Sequence, residues 1–156
     1  MKNISITYGS NNLLKNIKKN HKNNNLVIYN NIEHNKNDII INVDSNNSIF
    51  KNGLNFNIER SSIFIESNYL TFDSFSLRND QVKVFDSKIN RLINNLENND
   101  NLKSYYYGNL KKNNLEKILI LTWKNLSSYN IIKKNYDDLN IINMNNNIYK
   151  KEGKIN

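Results

Sequence analysis

An α/β domain is what this sequence predicts, and three observations carry that reading. Short apolar or β-branched runs at 4–7, 26–29 and 62–65, each bounded by turn residues, read as strands. Ile89, Leu92, Ile93 and Leu96 recur at i, i+3, i+4 and i+7, which reads as an amphipathic helix over 86–96. Glu66 directly follows the apolar run Ser62-Ile63-Phe64-Ile65. A carboxylate at the end of such a strand stands at a sheet rim, where ligands of α/β folds bind and where it can hold a hard divalent cation with a second carboxylate.

Length and composition bound the class. The 156 residues suffice for one core, taken as a single domain over 1–150 with a polar tail at 151–156. Asparagine fills 38 positions and there is no Ala, Pro or Cys. That bias is the mark of AT-rich coding before it is a mark of function, so the net charge of +8 argues only weakly for a polyanionic partner. Without cysteine there is no disulfide framework, thiol nucleophile or zinc ribbon. His21 and His34 lie in Asn/Lys-rich stretches and read as surface residues. No window approaches the apolar length of a membrane span and no secretory core is visible, so a soluble cytoplasmic protein is expected.

The elements follow in order. Asn clusters at 23–25, 30–31 and 145–147 mark turns or loops, since Asn tolerates left-handed backbone. The run 38–43 reads as a buried strand. Residues 77–85 read as extended by propensity, before the helix at 86–96. The apolar run 115–123 reads as a further strand, and Ser127 or Ser128 as the cap of a last helix carrying Ile131, Ile132, Leu139 and Ile142 on one face.

Several blocks resemble a known family. Ile-Phe-Ile-Glu-Ser-Asn-Tyr-Leu-Thr-Phe-Asp-Ser-Phe-Ser-Leu at 63–77 is similar to the stretch of RuvC-type Holliday-junction resolvases that carries their second catalytic acid, with Glu66, Tyr69, Arg78 and Gln81 in the family's places. Ile4 to Ser10 resembles the family's first strand and turn, with Thr7 where the first catalytic Asp stands. Leu102 to Asn109 resembles a basic strand-to-turn element, and Tyr136 to Ile142 the terminal helix that bears the last acid. The resemblance implies a ribonuclease-H-like mixed sheet flanked by helices. It places a helix between 43 and 54, one long helix from about Ser74 into the nineties, and a helix after Gly108. The first and third conflict with the local readings of 38–43 and 115–123. For 74–96, the long helix is the expectation adopted.

The chemistry that the resemblance implies is symmetric hydrolysis of two phosphodiester bonds in a four-way DNA junction by a homodimer, with branch-migration proteins as further partners. Two Mg²⁺ ions about 3.5 to 4 Å apart would activate the water and stabilise the leaving oxygen. Glu66 and Asp137 would bind them, with Asp138 the alternative because it lies nearer the apolar helix face. Thr7 supplies neither the charge nor the oxygen pair of the expected Asp. DNA contacts would come from Lys103, from Lys111 or Lys112, and from Tyr69 stacking on a base, Tyr69 being equally readable as an amphipathic structural residue. The competing readings are a basic nucleic-acid-binding protein that has lost catalysis and a small RNA-binding protein.

Overall fold

The computed structural model of the chain describes residues 2–33, 35–43, 46, 48–141 and 145–151. The elements are β1 (Lys2–Gly9), α1 (Asn11–Asn20), β2 (Leu26–Asn31), β3 (Asp38–Val43), β4 (Leu54–Ser61), β5 (Tyr69–Ser76), a 3-10 turn (Asn79–Gln81), α2 (Val82–Leu96), β6 (Leu102–Leu110), β7 (Asn113–Trp123), α3 (Ser128–Asp138) and β8 (Asn145–Lys151). The strands close into a barrel in the order β1-β3-β2-β8-β5-β7-β6-β4, with β4 returning to β1 through the register Ile4 to Phe56. Every ladder is antiparallel. Closure leaves no sheet edge to template aggregation.

Period-two alternation builds the barrel wall. On β1, Ile4 and Ile6 point inward; so do Ile39 and Ile41 on β3, Phe56 and Ile58 on β4, Leu70 and Phe72 on β5, and Ile118 and Ile120 on β7. These fill the interior, as expected for an eight-stranded barrel. The intervening side chains face outward and are covered in two places. Leu14 and Ile17 of α1 pack on Leu26, Ile28 and Ile40. The larger patch, Phe75, Tyr105, Tyr107, Leu119, Leu121 and Trp123, lies under Phe85, Ile89, Leu92 and Leu96 of α2 and Ile132 and Tyr136 of α3. Each such side chain, fully buried, contributes roughly 1.5–3 kcal/mol, which holds short helices that would be marginal alone.

One close approach fixes a glycine. A Cβ on Gly108 would stand 2.1 Å from the Asn57 carbonyl oxygen, so β4 and β6 come together only because no side chain intervenes.

The loop 62–68 closes one end of the barrel. Phe64 packs on the interior with its ring 6.1 Å from that of Tyr106, the Ile65 carbonyl accepts from Thr122 Oγ1 at 3.2 Å, and Ser67 Oγ donates to the Trp123 carbonyl at 2.6 Å.

This architecture corrects the sequence reading in several places. The fold is a closed antiparallel barrel with helices outside it, not a ribonuclease-H-like mixed sheet. Residues 62–65 are not a buried strand: β4 ends at Ser61, and Ile63 and Ile65 are 81% and 49% exposed. The expected long helix from Ser74 does not form. β5 runs through Ser76 with Leu70 and Phe72 inward and Thr71, Asp73 and Phe75 outward, and α2 begins at Val82. The local readings held at 38–43 and 115–123, which are β3 and part of β7 rather than helices. The last helix carries Ile132 inward, while Ile142, and the expected tail beyond 151, lie outside the described residues. Among the described residues no helix is long and apolar enough to cross a membrane.

Candidate functional site

The residues expected to form a nuclease centre are dispersed over the barrel. Thr7 is on β1, on the outward face that alternates with Ile6 and Tyr8. Glu66 is an exposed residue of the loop 62–68. Asp137 and Asp138 are exposed at the end of α3, which packs over β5 and β7. β1 and β5 stand opposite one another in the strand order, so the barrel separates Thr7 from the two aspartates. Among the described residues no three His, Cys, Asp or Glu side chains gather to hold a metal, so the two expected Mg²⁺ ions have no carboxylate cluster. Lys103 Nζ donates to the Asp100 carbonyl at 2.9 Å. Lys111 and Lys112 are exposed in the β6–β7 turn, and Tyr69 begins β5, partly buried against the outer apolar patch.

What the fold does assemble is a polar and aromatic cluster between the outer face of β5 and β7 and the helices α2 and α3. Outward alternation on β5 presents Thr71, Asp73 and Phe75 in one row, and on β7 it presents Leu119, Leu121 and Trp123. Trp123 Nε1 donates to Thr71 Oγ1 at 3.0 Å, and Tyr136 Oη of α3 donates to Asp73 Oδ2 at 2.6 Å. Phe75 lies between two further rings, 4.8 Å from Phe85 and 6.0 Å from Tyr136.

Asp73 is the chemically unusual group. It is 1% exposed, and burial pushes its carboxyl up from 3.8 to about 7, against the opposing effect of the Tyr136 hydrogen bond, which favours the anion. A carboxyl that titrates near neutrality can hold or accept a proton at working pH, as general bases do. A recess of about 230 Å³ opens on the surface at the start of α2, lined by Val84, Phe85, Lys88 and Asn140 among others. Phe85 is shared by the recess and the aromatic row, and from it contacts run through Phe75 and Tyr136 to Asp73. Lys88 Nζ donates to the Asn140 carbonyl at 2.9 Å, tying α2 to the end of α3 across the recess.

A second buried charge lies further along the same face. The ammonium of Lys117, 4% exposed, sits 2.8 Å from Glu59 and 3.2 Å from Asp86, and Tyr107 Oη donates to Asp86. Its partners satisfy it, and its place between β4, β7 and α2 is that of a structural ion pair.

Sequence reasoning quoted Asp73 within 63–77 but assigned it no role. The available signal was an acid on the same face as Thr71 and Phe75 in an otherwise apolar alternation; its partner Tyr136 is far away in the chain.

No protein-family model matches the chain, and no curated protein matches it. Solved structures do. A major regulator of staphylococcal pathogenesis superposes with a TM-score of 0.82 at 15% identity, over 97% of this chain and 100% of that one. An uncharacterised ferredoxin-fold protein related to antibiotic biosynthesis monooxygenases, from Listeria monocytogenes, gives 0.76 at 16% identity over 99% and 96% of the two chains. A haem-degrading enzyme from Listeria monocytogenes gives 0.75 at 16% identity over 97% and 100%. At these identities the likeness is one of fold. It overturns the resolvase assignment: the chain shares its architecture with monooxygenase-like and haem-degrading proteins. The junction-DNA substrate, the homodimer, the branch-migration partners and the Mg²⁺-dependent cleavage, all implied by the resolvase resemblance, lose their basis with it.

Proposed function

We propose that this chain is a monooxygenase-like protein that takes an apolar small molecule into the cleft between β5/β7 and α2/α3 and moves a proton there through Asp73. The observation that carries the reading is Asp73 itself, a buried carboxyl pushed up to about 7 and hydrogen-bonded by Tyr136, in a row of contacts that reaches an open recess through Phe75 and Phe85. The architecture shared with a Listeria protein related to antibiotic biosynthesis monooxygenases supports the reaction class.

Haem, the molecule named for the Listeria haem-degrading enzyme, is a poor match for the residues present. Haem iron is held through His, Cys, Met or Tyr. Of the cluster's side chains only Tyr136 belongs to that set, and its hydroxyl is committed to Asp73. The one described histidine, His21, follows α1 and lines a separate recess with Lys15, Lys18, Lys19 and Lys22. No step is therefore routed through haem.

In this reading the electrons of the monooxygenation come from the substrate. An activated methylene and dioxygen give a carbonyl and water, in which both atoms of oxygen and all hydrogens are accounted for. Asp73 as its anion removes the first proton, and the carbanion forms a C–O bond to dioxygen. The second C–H proton passes to the outer oxygen as the O–O bond breaks to leave carbonyl and hydroxide, and the protonated Asp73 returns its proton to that hydroxide to give water. Phe85 rotates aside to admit the ring, and the apolar walls exclude bulk water.

Anthrone, whose methylene is flanked by two aromatic rings, is a suitable probe. The expected result is faster oxygen-dependent formation of anthraquinone than in buffer, rising with pH through about 7 because Asp73 must be ionised, and lost in Asp73→Asn with the fold intact. No acceleration, or full activity in Asp73→Asn, refutes the assignment. A stoichiometric Soret shift on haemin titration would replace it with the haem reading.

A further inference from the structure

The two ends of the barrel differ. The loop 62–68 seals one, but at the other the interior side chains stop short of the rim. There β1 ends with Tyr8 and Gly9, β4 begins at Leu54, β5 ends at Ser76, and β7 is entered from the β6 turn. A mouth of about 250 Å³ remains, lined by Tyr8, Phe56, Phe72, Ser74, Glu116 and Ile118 among others. Phe56, Phe72 and Ile118 belong to the packed interior, so the floor of this space is the barrel core itself. On the far side of the Tyr8 ring a second recess of about 360 Å³ is lined by Asn31, Asn37 and Tyr149.

The chemistry of the mouth is specific. Three aromatic side chains form its walls, and Glu116 supplies a carboxylate whose two oxygens are oriented by Ser76 Oγ at 2.8 and 2.7 Å. Among the described residues no cation forms an ion pair with Glu116; Lys117 also lines the mouth, but its ammonium is held on the outer face by Glu59 and Asp86. On the opposite rim Glu33 is ion-paired with Lys36, and burial first, then Glu33 and Asp38, push the Tyr149 hydroxyl up to about 12. Lys111 and Lys112 line a separate shallow recess beyond Leu54 and Leu110. A rim carboxylate, Glu116, over aromatic side chains attracts a cation that carries a ring. Mouths of β-barrels are also among the places where small ligands bind.

We infer that the open barrel end is a second small-molecule site, distinct from the α2/α3 cleft, that takes a single-ring aromatic amine: the ring lies among Tyr8, Phe56 and Phe72, and the ammonium meets Glu116. The site does not depend on the oxidative chemistry of Asp73, because β5 presents Ser74 inward to the mouth and Asp73 outward to the helices.

Isothermal titration of the intact chain with benzylamine tests it, with benzyl alcohol and butylamine as the neutral and ringless comparators. Saturable benzylamine binding is expected, about tenfold or more tighter than either comparator, since one charge-assisted contact or one buried ring is worth more than 1.4 kcal/mol. Glu116→Gln should erase the preference over benzyl alcohol while leaving residual ring binding. Ser74→Trp, which fills the mouth, should abolish binding of all three, and Asp73→Asn should leave binding unchanged. Absence of saturable benzylamine binding, or a preference for it that survives Glu116→Gln, overturns the inference. So does loss of binding in Asp73→Asn, which would place the amine in the cleft.

Discussion

Replacing Asp73 by Asn isolates the energetic consequence of burying a carboxyl on the outer face of β5. In the folded chain burial raises this group from 3.8 to about 7. A carboxyl whose folded value is raised binds its proton more tightly in the native state than in the unfolded one. Below pH 4 both states are protonated and no penalty exists. As pH rises from 3.8 to about 7 the unfolded chain ionises first, and stability falls by about 1.4 kcal/mol per pH unit, about 4 kcal/mol in all; above pH 7 the loss is complete. Asn cannot ionise and keeps an oxygen for Tyr136 Oη, but its amide hydrogens need new acceptors, at a cost of about 1–3 kcal/mol. Asp73→Asn is therefore expected to be less stable than the natural chain at pH 4.5 and more stable by about 2 kcal/mol at pH 8. Urea unfolding followed by fluorescence of Trp123, the single tryptophan and a neighbour of Asp73 through Thr71, measures both. A stability difference that is the same at pH 4.5 and pH 8 would refute the burial argument.

Two further substitutions probe the barrel. Gly108→Ala drives a methyl into the Asn57 carbonyl and should destabilise by about 1–3 kcal/mol as β4 and β6 are forced apart, read as a lower urea midpoint with an unchanged slope. Lys117→Met leaves Asp86 and Glu59 without their cation; because these acids are 31% and 42% exposed and can partly rehydrate, the expected loss is about 1–3 kcal/mol, and Lys117→Met with Asp86→Leu should recover part of it in the same assay.

Local physics was legible in the chain and long-range pairing was not. The apolar runs at 38–43 and 115–123 and the helical recurrence of Ile89, Leu92, Ile93 and Leu96 each give the correct element, because period and branching act over neighbouring residues. The run 62–65 misled because four apolar residues have no period that separates a strand from a loop with one ring, Phe64, tucked inside. Ser74 to Leu96 misled because block matches in an Asn-, Lys- and Ile-rich chain form easily, and they outweighed the alternation that makes 69–76 a strand. The candidate cleft joins Asp73 to Tyr136, and barrel closure joins β1 to β4 and β8 to β5; such contacts leave no trace at short spacing. Gly108 was noticed as part of a turn motif, whereas its role is to let two strands approach.

The central claim is that Asp73 is a proton acceptor at working pH, and its carboxyl ¹³C shift followed by NMR from pH 4 to 9 tests that most directly. A midpoint at about 7 is expected, moved higher in Tyr136→Phe because the hydrogen bond that favours the anion is gone. A midpoint near 3.8, or one that Tyr136→Phe leaves in place, would contradict it.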